Sequence, residues 1–182
     1  MQAAPFLISG LYFSPFCHTA DIIGKLLYSR NPPEDCYLVL QKEAAERYTG
    51  SNGETIQSLL LKPVFWTDII YIFNVKDFFP VPSVDIVLAQ FQKRQCRLVP
   101  EEQYPLYREF ITFCREGRTA TVKKALMRIF TWTQFRQLSR MLDIDFKENP
   151  AELSFNKYLA IFQFYLSCRR KTYGAKIRKR NS

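Results

Sequence analysis

Three short apolar runs rich in β-branched and aromatic residues alternate with helical patterns up to Arg94, and none follows it. They are "CYLVLQ" (residues 36–41), "TDIIYIFNV" (67–75) and "VDIVLAQFQ" (84–92). Runs of this length are too short for buried helices and fit strands covered on their faces. Between them lie a helix from Thr19 with Ile22, Ile23, Leu26 and Leu27 at helical spacing, one or two turns in "KEAAERYTG" ended by Gly50, and a short helix in "ETIQSLLLKPVF". Strands alternating with helices, before an all-helical part, predict an α/β fold. "KDFFPVPS" (76–83) holds two prolines and predicts a loop.

Beyond Arg94 the period becomes helical throughout. "QYPLYREFITFCREG" is stopped by Gly117, and "TATVKKALMRIF" has Thr119 or Thr121 as N-cap. "TWTQFRQLSRMLDI" follows, capped by Thr131 or Thr133. "SFNKYLAIFQFYLSC" has Ser154 as cap and Phe155, Leu159, Phe162 and Leu166 along one face. The tail "RRKTYGAKIRKRNS" (169–182) has seven basic and no acidic residues and reads as a frayed, disordered extension. The organisation expected is an α/β part over 1–102, a helical domain over 103–168 and the basic tail over 169–182.

Charge divides along the same line. Residues 1–102 carry nine Lys and Arg against eleven Asp and Glu, whereas 103–182 carry seventeen against six. A one-sided basic surface suits a polyanion, because each cation that neutralises a phosphate releases condensed counterions. A merely solvated basic surface is the competing reading.

With 47% hydrophobic and 15% aromatic residues the chain has a folding composition. No run of 18 apolar residues predicts a membrane span. The five cysteines, Cys17, Cys36, Cys96, Cys114 and Cys168, form no CxxC pair, and His18 is the one histidine. This pattern argues against a metal site or a disulfide framework and fits a reducing cytoplasm, with most thiols acting as small buried hydrophobes. His18 reads as a polar loop residue. Glu43 and Arg47, at i and i+4, read as a helix-face ion pair of little energetic weight.

The order of segments resembles a known family. "FSPF" leading into "TADIIGKLL", then "YLVLQKEAAERY", "FFPVPSVDIVL", "IFTWTQFRQL" and "SFNKYLAIFQFYL" are together similar to the second part of the rRNA adenine-N6 dimethyltransferases. The nearest likeness is to the erythromycin-resistance branch, which modifies an adenine of 23S rRNA. Each motif alone is weak; their order and spacing over roughly residues 14–167 carry the resemblance. It implies a Rossmann-like methyltransferase sheet followed by a helical rRNA-binding domain, and S-adenosylmethionine as methyl donor. It also implies cytoplasmic action on 23S rRNA with macrolide-type resistance, and no membrane or protein partner.

By this resemblance Pro15 fixes the active-site loop, Phe16 stacks on the extruded adenine, and Phe78, first aromatic of "FFPVPSVD", flanks it. Core packing is the competing reading for both rings in a chain of 16 Phe. The loop departs from the family pattern: Phe13 stands at the Asn position and Ser14 at the aliphatic one, so "GLYFS" reads as foreign to the motif. Ser83 replaces a Lys. A cofactor site of this family needs a glycine-rich turn and a carboxylate for the ribose. The chain has six glycines and no G-x-G turn after a strand, so the cofactor half is expected to be missing. The RNA contacts implied are Lys123, Lys124, Arg128, Arg136 and Arg140 on the helices, with Arg169, Arg170, Lys171, Lys176, Arg178, Lys179 and Arg180 in the tail. An inactive fragment that only binds RNA is the alternative.

Overall fold

The computed structural model describes residues 10–13, 19–29, 31–115, 121–145 and 147–180. The chain divides into two compact units, Met1–Gln103 and Tyr104–Ser182.

The first unit is built on a four-stranded sheet of order β1-β2-β4-β3, from β1 (Gly10–Phe13), β2 (Asp35–Gln41), β3 (Phe65–Ile72) and β4 (Ile86–Lys93). β1 and β2 are parallel; β4 runs antiparallel to β2 on one side and to β3 on the other. Leu38, Val39 and Leu40 are all buried, as expected of a strand covered on both faces. β3 lies at the sheet edge, and Trp66, Ile70, Tyr71 and Ile72 are exposed along it. Arg94 covers Trp66, its guanidinium carbon 3.4 Å from the ring centroid. Burial lowers the pKa of Arg94 from its ordinary value.

β3, expected over 67–75, spans Phe65–Ile72, and β4, expected over 84–92, spans Ile86–Lys93; two further differences are larger. Gly10–Phe13, read from sequence as foreign to the motif, forms a strand in register with Cys36–Val39. Parallel pairing with a buried neighbour can recruit four residues whose own pattern is too short to announce a strand. The third helix stops early: α3 is Ile56–Leu61, and by Phe65 the chain is already paired with Lys93. Pro63 between them has no N–H to continue a helix.

Helices α1 (Thr19–Leu27) and α2 (Lys42–Thr49) bury Ile23 and Leu27, and Ala45 and Tyr48, respectively. Burial raises the Tyr48 pKa, partly offset by the Arg47 charge. The expected Glu43–Arg47 pair is not found among the described residues. Lys42 instead carries the ion pair of this helix, 3.7 Å from Asp85, because its backbone N–H is already anchored on the Asp85 carbonyl at 2.9 Å.

Gly50 ends α2 in the left-handed region, φ 72°, its N–H donating to the Glu46 carbonyl. A Cβ there would lie 2.7 Å from Glu54 Oε2, 2.8 Å from Ser58 Oγ and 3.0 Å from Lys62 Nζ. Those three atoms are themselves joined: Ser58 Oγ donates to Glu54, and Lys62 Nζ lies 2.5 Å from Glu54 Oε1. Gly50→Ala therefore combines backbone strain with disruption of a largely buried ion pair. It is expected to destabilise the fold by about 1–3 kcal/mol. Urea melts followed by circular dichroism measure this; a midpoint equal to wild type would contradict it.

The second unit is helical: α4 (Tyr104–Arg115), α5 (Val122–Leu126), α6 (Trp132–Leu142) and α7 (Phe155–Arg180). Of the alternative caps, Thr121 accepts from the Lys124 N–H, and Thr131 forms a reciprocal capping box with Gln134. Ser154 Oγ accepts from the Lys157 N–H at 3.5 Å. The core is a cluster of rings. Phe162 meets Tyr107 edge-on at 5.1 Å and Phe110 at 5.4 Å, while Phe130 packs on Phe164 at 5.6 Å. The buried stripe of α7 is Phe155, Tyr158, Ile161, Phe162 and Phe164, whereas Leu159 and Leu166 are half-buried.

The tail expected to be disordered is instead helical: α7 continues without a break through Arg180. Lys and Arg are good helix formers, and a packed helix already nucleated upstream extends into them at little cost.

Candidate functional site

β1 and β2 are parallel, so both end at the same edge of the sheet, where β4 begins. The register row Phe13, Val39, Leu88, Tyr71 crosses all four strands there. Pro15 and Phe16 follow directly on β1 and lie outside the described residues, as do Cys17 and His18. The segment 73–85 connects β3 to β4 at this same edge. With strands about 4.8 Å apart, it leaves the sheet roughly 10–15 Å from the end of β1.

Phe78 in that segment is half-buried. Its ring meets Phe73 edge-on at 5.6 Å, and Phe73 meets Tyr71 at 4.9 Å. Phe78 is thus held by a row of rings, while the adjacent Phe79 is fully exposed, at 100%. Further along the same segment, Ser83, Val84 and Asp85 join Gln41, Lys42, Glu43, Glu46 and Asn52 in lining an open groove of about 540 Å³. With three carboxylates to one ammonium it does not suit a phosphate. Ser83, at the position where the motif has Lys, adds no positive charge to it.

In the second unit the basic residues fall into two groups. Lys123 on α5 stands over the indole of Trp132 at 5.4 Å, and Arg136 and Arg140 lie one and two turns further along α6. Trp132, Thr133, Arg136, Gln137, Arg140 and Met141 line an open groove of about 420 Å³. All six residues are exposed. Sequence reading named the cations but passed over Trp132, whose position directly after the Thr131 cap, facing away from the core side, was its one signal.

Arg128 does not join them. Sequence had placed it on one helix with Lys123 and Lys124, but α5 ends at Leu126 and the chain turns. Phe130, buried in the ring cluster, anchors this turn, its N–H donating to the Leu126 carbonyl. Arg128 is left over Phe113 at 4.2 Å, on a second groove of about 380 Å³ with Leu106, Glu109, Phe110, Ile129 and Tyr165. Arg169 lies 5.7 Å from the Tyr165 centroid. Exposed cation–π contacts of this kind are worth about 0.5–1 kcal/mol each, small enough for an anion to displace them. Lys124 is exposed on α5. The positive charge is thus patterned, for the groove holding Asp143, Asp145, Glu148 and Glu152 is acidic.

Among the described residues no cluster of His, Cys, Asp and Glu could hold a metal ion, and no helix is long and apolar enough to cross a membrane. Cys36 and Cys114 are buried, and burial pushes their thiols up to about 11 and about 12. Both remain protonated in the folded state while the unfolded thiols ionise near 9.0. Their contribution to stability is therefore full below pH 9 and declines as pH rises through the raised values. Denaturant melts between pH 8 and pH 10.5 are expected to show this fall, less steep in Cys114→Ala. Ellman's reagent at pH 8 should modify exposed Cys96 and leave Cys36 and Cys114 untouched until unfolding.

The model of the ribosomal RNA adenine dimethylase family matches residues 12–167, which take in both units. The chain belongs to this family. It is 20% identical over 158 residues to ribosomal RNA small subunit methyltransferase A of Fusobacterium nucleatum, covering 83% of this chain and 59% of that protein. It is 24% identical over 151 residues to an rRNA adenine N-6-methyltransferase of Bacillus licheniformis, covering 81% and 52%. The chain thus spans little more than half the length of these relatives. The crystal structure of the 23S rRNA methyltransferase ErmE superposes with a TM-score of 0.79 at 18% identity, over 91% of this chain and 68% of that one. That of a dimethyladenosine transferase from Plasmodium falciparum gives 0.62 at 17% identity, over 91% and 70%. At such identities the likeness is one of fold: the mixed α/β architecture expected from sequence is that of known methyltransferases.

Proposed function

We propose that this family member contributes the base-holding end of the sheet and the RNA-holding helices to methylation of an adenine N6 in rRNA. The observation that carries this reading is the continuity of the family match through both units. Parallel β1 and β2, ending at one edge, are the arrangement in which α/β sheets place ligands outside their carboxyl ends. The finer assignment, the later part of a Rossmann-like methyltransferase sheet joined to a helical rRNA-binding domain, rests on the resemblance of motif order.

An adenine amino group is a poor nucleophile because its lone pair is delocalised into the ring. Positioning does most of the work: carbonyl oxygens accept hydrogen bonds from its N–H groups and aromatic faces hold the extruded base. In this reading Pro15 and Phe16 follow β1 to one side of the base, and Phe78, braced by Phe73, flanks the other. Lys123, Lys124, Arg136 and Arg140 take phosphates, supported by Arg128 and by the basic run of 169–182. The target is 23S rRNA by the nearest likeness of the motifs.

The methyl donor of the family is S-adenosylmethionine, which needs glycine at a strand-to-helix turn and a carboxylate for its ribose. Outside strands and helices, the glycines among the described residues are Gly50 and Gly53. Gly50 is crowded by three side chains, and Gly53 sits in the turn before α3. These residues do not fit the cofactor and carry no step through it.

The test is a chimera. The glycine-turn portion of an Erm-type relative is joined ahead of Tyr12, with Phe13→Asn and Ser14→Ile supplying the acceptor and the aliphatic residue of the motif. Tritiated methyl groups should appear on an adenine of 23S rRNA. A folded, cofactor-binding chimera that leaves rRNA unlabelled overturns the proposal.

A further inference from the structure

We infer that Trp132 is a stacking platform for one unpaired nucleobase of the bound RNA, with Arg136 and Arg140 holding the phosphates beside it. This rests on the RNA-binding role proposed for the second unit. The indole of Trp132 is 51% exposed at the head of α6, so one face is open to a flat partner. The indole is rigidly presented. The Thr131 capping box fixes the first turn of α6, and the ring of Phe135, itself buried, backs the indole at 5.8 Å and 27° between planes. Lys123 is the present cover, its ammonium 5.4 Å from the ring centroid. That is a flexible side chain at the far end of the cation–π range, and an arriving base can displace it onto the adjacent phosphate.

The surroundings select the occupant. Arg136 and Arg140 line the same groove and give it a positive charge that a polyanion complements and an apolar partner would have to bury. Gln137 on the groove wall offers an amide, donor and acceptor, to the edge of a stacked base. A fully paired duplex presents no free base face to the indole. A loop or bulge does, and unstacked bases are what proteins commonly hold against aromatic rings when they recognise RNA.

The test uses the full chain and a short RNA hairpin carrying 2-aminopurine at one unpaired loop position, with a fully paired RNA duplex as comparison. Trp132→Leu should weaken the hairpin between about 5- and about 150-fold, the affinity equivalent of one base–aromatic stack. The slope of log affinity against log salt should not change, and duplex affinity should move less than about twofold, since no phosphate contact is lost. Trp132→Phe should retain most of the hairpin affinity. The 2-aminopurine fluorescence quenched by the wild-type chain should recover in Trp132→Leu, and unchanged circular dichroism melting checks the fold. Equal binding and equal quenching by wild type and Trp132→Leu, with affinity still dependent on Arg136 and Arg140, would overturn this inference alone. No salt-dependent RNA binding by the folded wild-type chain would overturn the RNA role as well.

Discussion

Replacing Lys123, Arg136 and Arg140 together by glutamine is expected to lower affinity for structured RNA by roughly 100- to 500-fold at about 0.1 M salt. The estimate follows from counterion release. Each phosphate contact contributes about 0.7–0.9 to the slope of log affinity against log salt, so three lost contacts should flatten it by between about 2 and about 3. The three side chains are exposed, so the loss should come without unfolding. Lys147→Gln provides the contrast. It shares its groove with Asp143, Asp145, Glu148 and Glu152, where a phosphate would be repelled, and its removal should leave the slope unchanged. Filter binding across a salt series measures both. If the triple variant keeps the wild-type slope, the α5–α6 face is not where phosphates sit.

Phe162→Ala should be the most damaging single substitution in the helical unit, costing about 3–5 kcal/mol. Phe162 is 1% exposed and stands among the rings of Tyr107, Phe110 and Tyr165, at 5.1, 5.4 and 6.4 Å. Removing it forfeits the transfer energy of a benzyl group and leaves a cavity that three rigid rings cannot close. Against a total stability of roughly 5–15 kcal/mol typical of a domain, that is enough to loosen the whole unit. The RNA face should then lose affinity although no cation has changed. Gln163→Ala, the exposed neighbour on the same helix, should stay within about 0.5 kcal/mol. Guanidinium melts followed by helical circular dichroism separate the two. A Phe162→Ala midpoint close to that of Gln163→Ala would mean that the ring cluster is not the centre of the core.

Local chemistry made much of the molecule legible. The runs "CYLVLQ" and "VDIVLAQFQ" became β2 and β4 because β-branched and aromatic side chains fit a buried pleat wherever the strand pairs. Ser154 was readable as a cap, and Thr131 as one of two candidates with Thr133, because a hydroxyl before an apolar period satisfies orphan N–H groups three residues on. The family, too, was legible, since it rests on the linear order of motifs. The early end of α3 at Leu61 and the helical continuation to Arg180 depart from the local pattern because packing and an upstream nucleus outweigh the signal of the residues themselves.

What tertiary structure alone decided is which residues meet. No local pattern tells β4 to insert between β2 and β3, because strand order is set by pairings between distant segments. Nor does spacing show that α5 stops at Leu126. A continued helix would have aligned Arg128 with Lys124; the turn anchored by Phe130 carries Arg128 to Phe113 instead. The same turn brings Lys123 to Trp132, nine positions along the chain. Composition sets the supply of positive charge, and the burial of Phe130 and Phe135 sets where on the surface that charge and the exposed indole come together.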